Sequence, residues 1–216
     1  MLDRSNRKHA ILTEALKIAA FEGWNDVTLT KASVAAGEHY MAGVRLFDDS
    51  INELLVFFNQ TINEELSAQF QAEDIIKMRT SERVAWLLCK RFELLAQNKE
   101  AVRRMIARNF LPSNSAFGMQ QLWQNCDIIW RLAGDKSLDF NYYTKRSLLA
   151  KVYLRTMFFW LDCEDASELK DFVDNQIAGV LRAGQHIGKT KTKISNMFEY
   201  AADRALNPKR YRTKKF

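Results

Sequence analysis

Val34 to Phe47 read "VAAGEHYMAGVRLF". The stretch follows "ILTEALKIAAFEGW" (Ile11 to Trp24), whose apolar residues recur at helical spacing, and Thr28 or Thr30 is placed to cap a helix between the two. Gly37 supplies a tight turn, and Leu46 and Phe47 are core anchors at the end of the stretch. The pattern is that of a helix-turn-helix corner, which either reads DNA or only shapes the fold.

Charge argues for the second use. A base-reading helix presents Arg, Asn or Gln to the groove and has basic neighbours for the phosphates. Here the reading positions hold Glu38, His39, Tyr40, Met41, Ala42, Gly43 and Val44. From Asn25 to Ser50, Lys31 and Arg45 stand against Asp26, Glu38, Asp48 and Asp49, a net charge of −2 that suits a polyanion poorly. The basic run "RSNRKH" (Arg4 to His9) is what a weak DNA binder would use. The expectation is a three-helix structural unit that engages no nucleic acid, with His39 on its surface.

The rest of the chain continues in helices. Only two prolines and eight glycines interrupt 216 residues, which predicts an all-α fold. Periodicity places helices at about 6–22, 28–36, 39–46, 50–70, 80–97, 99–110, 115–133, 144–162, 165–184 and 190–206. Asp49 or Ser50 caps the fourth, with Glu53 able to close a capping box; Ser81 and Glu82 open the fifth; Pro112 follows the sixth and Gly134 the seventh. Residues 6–60 form the helix-turn-helix-like unit and 61–186 an antiparallel helical domain. The link "RAGQHIGKTKTK" leads to a last helix at 190–206 and a basic tail at 207–216.

The net charge of +6 comes from that end: residues 182–216 hold ten basic and two acidic side chains, and the body before them is slightly acidic. Cys89, Cys126 and Cys163 are too widely spaced for a zinc knuckle or a redox pair; they read as free thiols buried in helices, in a reducing compartment. His9, His39 and His186 form no metal-binding pair, and no phosphate loop, dinucleotide fingerprint or nucleophile elbow is present. Asp135, Asp139 and Asp162 read as helix ends and caps. The chain is expected to be no enzyme and to carry no cofactor or metal.

Two apolar stretches exceed what an ordinary surface helix needs. In "FGMQQLWQNCDIIWRLAG", Met119, Leu122, Trp123, Cys126, Ile129, Trp130 and Ala133 recur at three and four. "LLAKVYLRTMFFWL" is apolar around much of its circumference, through Leu148, Leu149, Val152, Tyr153, Met157, Phe158, Phe159 and Trp160, which predicts an enclosed helix. A filled core and a cavity for a lipid-like guest both satisfy this pattern. In the last helix, "KISNMFEYAADRAL", Ile194, Met197, Phe198, Ala201, Ala202 and Ala205 share one face. Lys189, Lys191 and Lys193 stand before that apolar face and "KRYRTKK" comes after it, as in a helix lying on an anionic membrane surface; docking on the domain or on a partner is the alternative.

The stretch "GDKSLDFNYYTKRSLLAKVY" (Gly134 to Tyr153), with "EAVRRMIARNFLPSN" before it and "FVDNQIAGVLRAGQ" after it, resembles the accessory lipid-binding protein family of ubiquinone biosynthesis, whose fold is TetR-like. The resemblance implies a partner, the di-iron demethoxyubiquinone hydroxylase, engaged through Asp139, Asn141, Tyr142, Tyr143, Thr144, Lys145 and Arg146. Where Tyr142 stands, the family often has Trp. It further implies that isoprenoid quinone intermediates or phospholipid occupy an interior to which Met119, Trp123, Trp130, Tyr153, Met157 and Trp160 contribute. Ile194, Met197, Phe198, Ala201 and Ala205 would meet the membrane, and the protein would form a homodimer.

The function so implied is non-enzymatic: binding the apolar intermediate at the membrane and presenting it to the hydroxylase. The opening "MLDRSNRKHAIL" shows neither a cleavable signal nor a transit segment. The expected location is the cytoplasmic side of a bacterial inner membrane, or the mitochondrial matrix face if a targeting segment has been removed. The alternative is a TetR-like, ligand-responsive DNA-binding regulator.

Overall fold

The structure is a computed structural model that describes residues 4–72, 77–136 and 140–182. Eight helices run in the order α1 (Arg4–Glu22), α2 (Asp26–Ala35), α3 (Tyr40–Arg45), α4 (Ile51–Ala72), α5 (Thr80–Ala96), α6 (Lys99–Asn109), α7 (Ser115–Leu132) and α8 (Phe140–Asp162). A further helix, α9, covers 166–182. Residues up to Val173 form one compact unit, and Asp174 begins a second. The helix expected at 190–206, with its membrane-facing residues and Lys189, Lys191 and Lys193, lies outside the described residues.

The first three helices make the predicted corner. Gly37 takes a left-handed φ of +78° between α2 and α3, and Leu46 and Phe47 are buried just after α3. The cap of α2 is not a threonine: the Asn25 side chain accepts from the Thr28 backbone N–H at 3.0 Å. Thr28 is buried one turn in, and its hydroxyl donates to the Gly23 carbonyl at 2.7 Å. Ser50, rather than Asp49, starts α4, its Oγ accepting from the Asn52 N–H at 3.2 Å; Asp49 instead bends the chain with φ +57°.

Gly43 is buried at the crossing of α2 and α3, where a Cβ would lie 2.4 Å from the Ser33 Cβ. It is therefore a contact point between helices and not a base-reading position. Glu38 is bound by both ends of the Arg7 fork, at 2.7 and 2.8 Å, and that bonding holds its carboxyl below the usual range. The pairing removes Arg7 from the basic run that a DNA contact would use.

The corner is fastened to the helical body by Trp24, whose indole N–H donates to the Ala101 carbonyl of α6 at 2.8 Å, and Arg108 of α6 donates to Asn52 at the start of α4 at 2.8 Å. Continuous α4 crosses residue 60 and contributes Leu54, Leu55, Phe58, Ile62 and Leu66 to the core. Helix α5 adds Leu87, Leu88, Phe92 and Leu95. Arg103 and Lys99 of α6 donate to the carbonyls of Leu161 and Cys163, at 2.7 and 2.8 Å, where α8 ends. Cys126 alone of the three cysteines is fully buried, and Cys163 follows α8 instead of lying in a helix.

Overpacking at the Gly43 crossing sets an expected penalty. Gly43→Ala lowers the unfolding free energy by about 1–3 kcal/mol in denaturant titrations. Gly179→Ala, on a helix with open space around the position, is neutral or stabilising by up to about 1 kcal/mol.

Candidate functional site

A cavity of about 160 Å³ opens among α4, α6, α7 and α8. Its apolar wall includes Ile106, Phe110, Met119, Leu122, Leu154 and Met157. Its mouth is apolar and exposed: Met119 is 60% and Phe110 56% accessible, and the Phe110 ring lies 5.5 Å from that of exposed Phe158. Helix α8 is thus not enclosed on every side.

The deep end is polar. Asn59, Gln121, Asn125 and Tyr153 all line the cavity and are all buried. Asn59 donates to the Gln121 amide oxygen at 3.1 Å and to the Leu55 carbonyl at 3.4 Å. Arg91, itself 1% exposed, donates to the Tyr153 hydroxyl at 2.9 Å, to Asn59 Oδ1 at 2.8 Å and to Asn63 Oδ1.

Of the six residues expected at an interior lipid site, Met119, Tyr153 and Met157 line this cavity, and Trp123, Trp130 and Trp160 do not. Trp160 is buried against Phe92, at 5.4 Å between ring centroids, and borders a different hollow rimmed by Lys99, Glu164 and Asp165. Trp130 spans α7 and α8, donating to the Lys145 carbonyl at 3.1 Å. Trp123 is on the flank of α7, where its ring meets those of Tyr142 and Tyr143 at 6.4 and 6.2 Å. The spacing of three and four gathered Trp123 and Trp130 into one stripe, but the buried apolar stripe there is narrower, running through Leu122, Cys126, Ile129 and Ala133.

Trp123, Tyr142 and Tyr143 form an aromatic patch on a charged footing. The two tyrosine rings meet edge to face at 5.1 Å, and Tyr143 is 62% exposed. The Tyr142 hydroxyl donates to Asp127 at 3.0 Å. Arg146, expected among the residues that engage a partner, is instead 1% exposed and turned inward. It donates to Asp127 at 2.6 Å and to Asp135 at 3.2 Å, with its guanidinium 3.5 Å from the centre of the Tyr142 ring. Burial alone would lower this guanidinium, but the bonds to Asp127 and Asp135 outweigh it and hold Arg146 above its ordinary value.

Asp135 reaches this position through the end of α7. Gly134 takes φ +92°, its N–H donates to the Arg131 carbonyl, and the Asp135 N–H donates to that of Trp130 at 2.9 Å. Lys145 also donates to Asp135, at 2.7 Å, and Arg131 pairs with Asp127 at 2.7 Å. Thr144 is exposed, and Asp139 and the side chain of Asn141 lie outside the described residues. Asp127 and Asp135 are the footing that sequence reasoning missed; the signal available for Asp127 was its spacing of four from both Trp123 and Arg131.

Burial pushes the Cys126 thiol up to about 12, against the opposing pull of Arg91 and Arg146, so it stays protonated at neutral pH. Among the described residues, no group of three His, Cys, Asp or Glu side chains gathers to hold a metal ion, and no helix is long and apolar enough to cross a membrane.

The sequence pattern of the COQ9 family matches residues 115–184, which contain α7 and α8 entire. The ubiquinone biosynthesis protein COQ9, mitochondrial, of Rattus norvegicus is 26% identical over 195 residues, covering 86% of this chain and 62% of its own length. The Homo sapiens protein of the same name is 25% identical over 195 residues, with 86% and 61% covered. The chain is thus similar in sequence to the COQ9 proteins over most of its length. It spans about three-fifths of the length of those COQ9 relatives. A solved TetR transcriptional regulator from Nitrosomonas europaea superposes with a TM-score of 0.65 at 19% identity, covering 79% of this chain and 95% of the other, and establishes the fold as TetR-like.

The segment that matches the COQ9 family pattern contributes cavity-lining residues of α7 and α8 and the whole aromatic patch, and Arg146 is the buried side chain beneath that patch. Arg146→Met, which removes the buried cation between Asp127 and Asp135 and leaves them to Arg131 and Lys145, is expected to lower stability by about 1–3 kcal/mol in denaturant unfolding. Tyr143→Ser, at an exposed ring, is expected to change it by no more than about 0.5 kcal/mol.

Proposed function

We propose that this chain is a non-enzymatic accessory protein of ubiquinone biosynthesis. It takes up an isoprenoid quinone intermediate, or in its absence a phospholipid, and presents it to the di-iron hydroxylase that acts on the demethoxy intermediate. The observation that carries this reading is the coincidence, within the segment that the COQ9 family pattern matches, of an apolar cavity wall and an exposed aromatic patch. The names of the relatives supply the pathway and the mitochondrial setting.

Each surface has chemistry suited to its task. Met119, Leu154 and Met157 offer flexible apolar contact to a guest too insoluble to diffuse through water. Trp123, Tyr142 and Tyr143 offer rigid contact area with hydroxyl handles, the composition of an interface anchor. Arg146 supports that anchor from beneath. In this reading the basic, amphipathic segment at 189–205 meets an anionic membrane through Ile194, Met197, Phe198, Ala201 and Ala205, on the matrix face of a mitochondrion or the cytoplasmic face of a bacterial inner membrane. A second copy of the chain completes the working unit.

The regulator alternative is the weaker reading. Its recognition helix would be α3, a six-residue element whose glycine is buried against α2, and the nearby Arg7 is already paired with Glu38. A strain deleted for the gene is expected to accumulate the demethoxy intermediate and lose most of its ubiquinone. The wild-type gene restores the quinone, and a gene carrying Trp123→Ala with Tyr143→Ala restores little of it while the variant protein stays folded. Normal quinone content in the deletion strain would overturn the proposal.

A further inference from the structure

The deep end of the cavity is not what an apolar tail requires. Four buried polar side chains from three helices, Asn59 of α4, Gln121 and Asn125 of α7 and Tyr153 of α8, line a space whose other walls are mostly apolar, Asn109 and Ser115 being the remaining polar residues. The Asn125 Oδ1 atom is buried with no hydrogen-bond partner, and its Nδ2 reaches Asn59 only at 3.5 Å. A buried carbonyl left this way carries an uncompensated loss of hydration. The Tyr153 oxygen accepts from Arg91 at 2.9 Å, which polarises the hydroxyl and strengthens it as a donor.

We propose that this cluster is a head-group site, in which Asn125 accepts a hydrogen bond from, and Tyr153 donates one to, a hydroxyl on the aromatic ring of a prenylated phenol. The inference rests on the lipid-carrying role proposed above and specifies which part of the lipid lies where. A hydroxyl is the group that donates and accepts at once; a quinone carbonyl or a methyl ether only accepts. Size agrees with this assignment: a cavity near 160 Å³ is comparable to one of about 150 Å³ that holds benzene, so it fits one ring and not a polyprenyl chain. The tail leaves by the mouth, over Phe110, Met119 and Phe158, which are the exposed apolar residues there.

The same amides give the site its place in the function. Asn59 and Gln121 also form the floor of a separate cleft lined by Trp123, Asp127 and Tyr142. A ring held at the deep end is therefore one layer of side chains behind the aromatic patch. The Arg91 guanidinium, bonded to Asn59 and Tyr153, keeps that layer fixed.

The test uses the full chain and two probes that differ only at the hydroxyl, 2-geranylphenol and its methyl ether, titrated by tryptophan fluorescence and checked by calorimetry. The wild-type chain is expected to bind the phenol about tenfold or more tighter than the ether, the effect of one to two buried hydrogen bonds. Asn125→Leu is expected to bring the ratio to within about twofold by weakening the phenol alone, as loss of a hydrogen-bonding partner predicts. Equal wild-type affinities, or a preference for the ether, would overturn the head-group site and leave the lipid-carrying role intact. A preference undiminished in the variant would remove it from Asn125. Binding of neither probe would overturn the lipid-carrying role and this site with it. If Asn125→Leu fails to fold, the wild-type ratio alone decides.

Discussion

Arg91 is a guanidinium buried in the core, and no carboxylate forms an ion pair with it among the described residues, so its charge has to be met by oriented neutral groups. Asn59 and Asn63 of α4 and Tyr153 of α8 meet it from two sides of α5, and Asn59 passes the constraint to Gln121 of α7. Four helices are thereby held at the spacing that leaves the cavity open. Aliphatic side chains could close around one another at this level; a satisfied guanidinium with its amides fixes the distance instead. The cavity is a consequence of that polar layer as much as of the apolar wall.

A second arginine does the corresponding work at the surface. Arg146 joins the start of α8 to α7 through Asp127 and to the turn after α7 through Asp135, and Tyr142 lies across its guanidinium. The exposed aromatic patch is rigid because the charges beneath it are buried and paired. Asn59 and Gln121 line both the cavity and the outer cleft, so the two hollows share one wall.

Local chemistry made much of this legible in the sequence. Helix periodicity, the left-handed turn at Gly37, the buried Phe47 and the Gly134 stop each depend on a few neighbouring residues, and each is present in the structure. The choice of Asn25 over Thr28 as cap is also local, but it turned on which side chain folded back over the turn. What was not legible depends on distant partners. Arg146 reads as a surface contact until Asp127 and Asp135 are known to lie beneath it, and three tryptophans fit the pattern of a pocket while serving elsewhere. One signal for the polar layer does stand in the sequence: Asn59 and Arg91 occupy apolar-stripe positions of α4 and α5, among Leu55, Ile62, Leu66 and Leu87, Leu88, Leu95. Polar residues at core positions mark a buried network, and here the network borders the proposed site.

Extraction and mass spectrometry of whatever copurifies with the full chain, without detergent, test the central claim most directly, with Leu154→Trp as a filled-cavity reference. The account predicts a prenylated phenol or quinone at near one molecule per wild-type chain, largely lost from the folded variant. An extract without any prenylated ring compound, or one that is the same for both proteins, would contradict it.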